Sequence, residues 1–75
     1  MIRKKILLNT IEKVKDFSAI VPKYDYDMDL ATGRYMVDAK SILGIFSLNL
    51  FNELTLTIHA DNADDLLEEI KKYIV

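Results

Sequence analysis

Residues 24–30 read Tyr24-Asp25-Tyr26-Asp27-Met28-Asp29-Leu30. Large apolar or aromatic residues alternate without a break with aspartates. A strand, with its period of two, gathers Tyr24, Tyr26, Met28 and Leu30 on one face and the three aspartates on the other. A helix would scatter the aspartates around its circumference. The spacing therefore predicts a strand over 24–30, buried on one side and wet on the other. Thr32-Gly33-Arg34 follows as a turn, because Gly33 takes positive φ at no steric cost. Tyr35 to Ala39 returns as the second strand of a hairpin.

The same alternation recurs on both sides of the hairpin. Leu54, Leu56 and Ile58 alternate with Thr55, Thr57 and His59, a third half-buried strand. Residues 2–8 form a fourth, with Ile2, Ile6 and Leu8 inward and Arg3 and Lys5 outward. Lys4 interrupts the inner face, which puts this strand near the sheet's end.

Three segments have helical spacing instead. Asn9 and Glu12 stand at the distance of a capping box, and Ile11, Val14, Phe17 and Val21 mark a helix face. Lys13 and Lys15 fall on its solvated side. Pro22 forces Val21 out of helical geometry, so this helix ends there. Ser41 is an N-cap for a short helix within Lys40 to Leu50. Asp61-Asn62 caps a last helix whose stripe is Ala63, Leu66, Leu67, Ile70, Tyr73 and Ile74. Asp64 and Asp65 in its first turn, and Lys71 and Lys72 in its last, suit the helix dipole.

The order is β-α-β-β-α-β-α, and each strand has one apolar face. The expected fold is α+β: a four-stranded antiparallel sheet with three helices on one face, an open-faced β-sandwich. A chain of 75 residues is expected to form one domain, residues 1–75, without repeat or linker. Lys and Arg number 10 against 12 Asp and Glu, a net charge of −2, so nucleic acid is not an expected partner. The absence of Cys excludes disulfides, thiolate metal sites and redox thiols, and a lone His excludes a two-histidine metal site. No apolar run approaches the ~20 residues of a membrane span, and Ile6-Leu7-Leu8 is too short for a signal peptide. A soluble, cytoplasmic protein is expected, although the absence of cysteine fits a secreted protein too. Composition leaves binding, regulation or a very small chemistry.

The run Asp38-Ala39-Lys40-Ser41-Ile42-Leu43-Gly44-Ile45-Phe46-Ser47-Leu48 resembles the regulatory-serine segment of HPr, the phosphocarrier of the bacterial sugar phosphotransferase system. Lys23-Tyr24-Asp25 upstream, and the element order, are similar to that family as well. The resemblance implies an HPr-like fold. It also implies a histidine at the start of the first helix, within Gly-x-His-x-Arg-Pro, that takes phosphate from Enzyme I. Here that stretch reads Asn9-Thr10-Ile11-Glu12-Lys13-Val14-Lys15-Asp16. Counting back from Lys23-Tyr24 places Thr10 near the family's histidine and Glu12 where its arginine stands, and the loop before the helix is short. Phosphohistidine formation needs an imidazole and donors for the phosphate. Thr10 without a base is a poor nucleophile, and Glu12 repels phosphate. The chain thus resembles a degenerate HPr that has lost the phosphoryl relay, as the catabolite-repression HPr proteins have.

Candidate residues follow from these readings. Ser41 is either a helix N-cap alone or, as the resemblance implies, also the substrate of HPr kinase/phosphorylase. Lys40, Ile42, Leu43 and Phe46 are candidates for a protein-docking surface, since a short helix with apolar residues on every side leaves some exposed. Ile45 and Leu48 are expected to be more buried. Partners implied by resemblance are HPr kinase/phosphorylase, a transcriptional regulator or Enzyme I. The alternative is a phosphocarrier with a non-standard acceptor, Thr10 or His59. His59 falls on the polar sheet face, away from the family's acceptor, with no evident orienting partner. Asp25, Asp27 and Asp29, roughly 6–7 Å apart, diverge rather than converge on a cation. No metal or cofactor is expected.

Overall fold

The computed structural model describes residues 1–75. The strands are β1 (Ile2–Ile6), β2 (Met28–Thr32), β3 (Tyr35–Asp38) and β4 (Leu54–Ile58). The helices are α1 (Ile11–Ile20), α2 (Ile42–Phe46) and α3 (Asp64–Ile70), and 3₁₀ turns at Val21–Lys23 and Lys71–Tyr73 extend α1 and α3. All strand pairs are antiparallel, in the order β1-β4-β2-β3. This is the open-faced α+β sandwich that the alternation implies.

Period two decides what is buried. Leu54, Leu56 and Ile58 of β4, Met28 and Leu30 of β2, and Ile6 of β1 form the inner face. Val14, Phe17 and Ile20 of α1, Ile45 of α2, and Leu66 and Ile70 of α3 close over it. No polar or charged residue is in the buried set. The hairpin loop is Gly33-Arg34, and only Gly33 has positive φ, at 58°. Glycine first in a two-residue loop is the requirement of a type II′ turn. β1 is an edge strand, so Lys4 reaches water although its cross-strand neighbour Leu56 is buried. The chain's end covers β1's free edge: Val75 N–H donates to the Lys5 carbonyl and Leu7 N–H to the Tyr73 carbonyl, both at 2.9 Å.

Several boundaries differ from the sequence reading. β2 begins at Met28, not Tyr24. Strands are defined by their partners, and β4 ends at Ile58, opposite Met28. One further pairing bond, His59 N–H to the Asp27 carbonyl at 2.9 Å, closes the ladder. Tyr24 and Tyr26 keep the inward side but use it on α3. Their rings stack at 6.1 Å, the Tyr26 hydroxyl donates to Asp65 at 2.8 Å, and the Tyr24 hydroxyl donates to Glu69. β1 stops at Ile6 rather than at residue 8. The cap of α1 is Thr10, not Asn9: Lys13 N–H donates to Thr10 Oγ1 at 3.2 Å, and Asn9 instead accepts from the Lys13 ammonium. Ile11, in the first turn and at the margin of the face set by Val14, Phe17 and Ile20, is not core but 59% exposed. Before α3, Asn62 Oδ1 accepts from Asp64 N–H at 3.0 Å.

Three phenol–carboxylate contacts fasten the helix layer. Besides the two tyrosines on α3, the buried Tyr73 donates to Asp16 of α1, which also meets Lys72 at 3.0 Å. Glu69 meets Lys23 at 2.9 Å as well. The Tyr73 hydroxyl, and then Lys72, hold the Asp16 carboxyl below its usual range. The Tyr24 hydroxyl, and then Lys23, do the same for Glu69. In return, the bond to Glu69 pushes Tyr24 up to about 12.

Carboxyls lowered on folding contribute stability above their unfolded pKa, lost as pH falls through the folded value. A phenol raised from 10.0 to about 12 contributes below pH 10 and loses that contribution as pH approaches 12. The urea midpoint should therefore be flat near neutrality and fall at both ends. Tyr24→Phe should reduce both the alkaline decline between those pH values and the part of the acid decline that Glu69 causes.

Candidate functional site

Two hydroxyl residues start helices in the same way. Thr10 and Ser41 both have extended backbone (φ −137° and −96°) and accept the N–H three residues on. For Ser41 the donor is Gly44 N–H, at 3.1 Å. Ser41 is exposed, and its own N–H donates to the Asp38 carbonyl at 3.0 Å, which ties α2 to the end of β3.

Gly44 permits this arrangement. A Cβ there would lie 3.1 Å from Val37 Cβ and 3.2 Å from Ser41 Oγ. The helix therefore rests directly on β3, with the serine hydroxyl held against its first turn. α2 has five residues and one fully buried side chain, Ile45. Leu48 is buried just beyond it. Ile42 is 39%, Phe46 42% and Leu43 81% exposed. The division into outward Ile42, Leu43 and Phe46 and inward Ile45 and Leu48 is the one the sequence pattern indicates. Lys40 differs: half-buried, it donates its ammonium to the Tyr24 carbonyl at 2.7 Å. Its charge is therefore committed to holding the segment after α1.

Phe46 also lines an open groove of about 370 Å³ with Asn9, Thr10, Ile11, Leu48, Asn49, Leu50 and Phe51. Phe51 is 87% exposed. The start of α1 and the end of α2 thus share one apolar concavity. Sequence reading missed Ile11 and Phe51. Ile11 has the helical spacing of a core residue, and Phe51 lies in a loop with no periodicity. The residues lining the groove include no Asp, Glu, His, Lys or Arg. Nothing in the groove lining can therefore take a proton from Thr10, and the ammonium of Lys13, one turn on, is held by Asn9 Oδ1 at 2.9 Å.

His59 lies on the other side of the molecule. Its neighbour Ile58 pairs with Ile2, at the far end of β1 from Thr10, and its side chain is on the open face. His59 has a partner that sequence reading did not supply: Nε2 is 2.7 Å from Asp29 Oδ2. Asp29 is thus diverted from Asp25 and Asp27, and no group of three or more acidic or histidine side chains is placed to hold a metal ion. No helix is long and apolar enough to cross a membrane.

A four-stranded sheet with this strand order, covered on one face by three helices, defines the class: HPr-like open-faced sandwiches. Residues 13–75 match the family model described as "PTS HPr component phosphorylation site". The chain belongs to this family, the HPr phosphocarriers of the phosphotransferase system. The match begins just after Thr10. Members of the family are phosphocarriers rather than catalysts and work with phosphotransferase proteins such as Enzyme I. No curated protein matches the chain in sequence. Among solved structures, HPr-C-His from Thermoanaerobacter tengcongensis superposes with a TM-score of 0.79 at 20% identity, covering 96% of this chain and 89% of that one. The phosphocarrier protein HPr from Bacillus anthracis gives 0.75 at 24% identity, covering 99% and 94%. The histidine-containing phosphocarrier protein of Mycoplasma gives 0.72 at 14% identity, covering 95% and 86%. At these identities the likeness is one of fold.

Gly44→Ala tests the contact under α2. Alanine is favoured over glycine in a helix by about 1 kcal/mol. Here the added methyl meets the Cβ of a sheet residue that has little room to yield, and overpacking typically costs about 1–3 kcal/mol. The variant should be less stable than wild type in urea denaturation, reversing the usual gain.

Proposed function

We propose that this protein is a regulatory or adaptor member of the phosphotransferase system, acting as one HPr-like domain over residues 1–75 in the cytoplasm. It binds protein partners through α2 and is switched by phosphorylation of Ser41, without a histidine phosphoryl relay. The observation that carries this reading is a juxtaposition. An exposed hydroxyl and three outward apolar side chains, Ile42, Leu43 and Phe46, share one short helix. The helix α1, where the family would carry its histidine, begins with Thr10 instead.

The switch follows from charge. A phosphate on Ser41 would add about −1.5 to −2 charge beside an apolar contact surface. Desolvating that charge is costly, so a partner docked on Leu43 and Phe46 would be lost unless it offers cations. A partner with arginines facing Ser41 would instead be gained. HPr kinase/phosphorylase is the modifying partner, and a transcriptional regulator or Enzyme I is the partner bound. The five-residue α2 has only a small dipole, so partner residues rather than the helix decide which way the switch acts.

Purified HPr kinase with ATP should add one phosphate, located by mass spectrometry at Ser41 and absent in Ser41→Ala. Loss of the cap costs about 1 kcal/mol, so circular dichroism should show the variant still folded. A wild-type chain left unmodified, under conditions that label a true HPr, overturns the proposal.

One observation favours a second reading, a phosphocarrier with an unusual acceptor. With Nε2 on Asp29, His59 leaves Nδ1 free, and its side chain is exposed. Phosphoenolpyruvate and Enzyme I would then give an acid-labile label that is lost in His59→Ala. An acid-stable label retained in His59→Ala and lost in Thr10→Val would point to Thr10. Under the regulatory reading, neither label forms.

A further inference from the structure

The open face of the sheet has a directional charge pattern. Strand register aligns Arg3, Thr57, Asp29 and Asp38 in one row across it. The next row is Lys5, Thr55, Ala31 and Met36. These residues alternate with the buried ones, so they stand on the side without helices. The first row runs positive, neutral, negative, negative from β1 to β3. Within these two rows the cations, Arg3 and Lys5, lie on β1 and the carboxylates, Asp29 and Asp38, on β2 and β3. The middle of the face is small and level: Thr57, Thr55 and Ala31 are half-buried. The Lys5 ammonium lies down on Thr55 Oγ1 at 2.9 Å. Asp29 is turned to His59, and Asp38 Oδ1 accepts from Lys40 N–H at 2.8 Å, leaving its other oxygen available.

Such a face complements itself. A two-fold axis parallel to the strands, running between β4 and β2, lays each row on its own reverse. Arg3 then meets Asp38 of the second copy, and Thr57 meets Asp29. In the next row Lys5 meets Met36, which is otherwise exposed, and Thr55 meets Ala31. We propose that the open face is a docking surface for a second copy of this chain, in a sheet-on-sheet dimer held by two symmetry-related Arg3–Asp38 pairs. Two sheets pack about 10 Å apart, a spacing that these side chains span. A closed, isologous contact of this kind stops at two copies. The helix layer, with α2 and the groove, stays free on both outer surfaces.

The test is a charge swap read by sedimentation equilibrium from micromolar to millimolar protein. Wild type should dimerise at low salt and dissociate as salt screens the pairs. Arg3→Glu and Asp38→Arg should each weaken the dimer about tenfold or more, because each sets like charges face to face. The double variant Arg3→Glu/Asp38→Arg should recover the dimer, since the symmetry pairs position 3 with position 38. Melting curves check that each variant is folded, and if Asp38→Arg is not, Met36→Lys with Lys5→Asp serves as the second swap. A wild type monomeric throughout overturns the proposal. So does a dimer indifferent to both single changes, including one that Phe51→Asp in the groove abolishes. Single changes that dissociate the dimer without recovery in the double variant overturn it too.

Discussion

The rest of the structure depends on β4 being hydrogen-bonded along both edges. β1 lies against one side and β2 against the other, and Leu54, Leu56 and Ile58 face the helices with no exposure. A strand so placed fixes three things together. It sets the register that pairs Ile6 with Leu54, Leu30 with Leu56 and Met28 with Ile58. By ending at Ile58, it sets where β2 can begin. Its outward threonines separate the basic side of the open face from the acidic side. A slip of one residue would turn the leucines to water and the threonines into the core.

Element types were legible because burial on one side leaves a strong mark. Every strand has an alternation or a turn signal, and every helix a stripe or a cap. The misplaced boundaries have a common cause, since each depends on a partner distant in sequence. Tyr24 to Asp27 has strand periodicity, yet a strand needs a neighbour, and β4 has ended. The phenols satisfy themselves on Asp65 and Glu69 of α3. Asn9 and Thr10 are both good caps, and sequence spacing favoured the wrong one. Ile11 keeps the helical spacing of core but lies in the first turn, where the groove between α1 and the loop after α2 leaves it exposed.

The candidate site was legible in part for the same reason. Ile42, Leu43 and Phe46 fall outward because a five-residue helix has only one inward position, filled by Ile45. The groove was hidden, because it joins the start of α1 to the loop after α2. The partnership of His59 with Asp29 was hidden because it crosses from one strand to another. The two hydroxyls at helix starts, Thr10 and Ser41, are equal in local geometry and differ in setting. One opens onto a groove without ionisable groups, and the other stands between β3 and an exposed apolar helix.

The order in which the strands pair also bears on how the chain acquires its shape. β1 is the first strand in chain order, yet its partners are β4 on one side and residues 73–75 on the other. Only the β2–β3 hairpin closes a short loop. β1 stays unpaired, with Ile2 and Ile6 uncovered, until β4 and residues 73–75 are in place. Folding then closes residues 2–6 onto residues 54–58 and 73–75, a long-range contact that forms slowly relative to a helix.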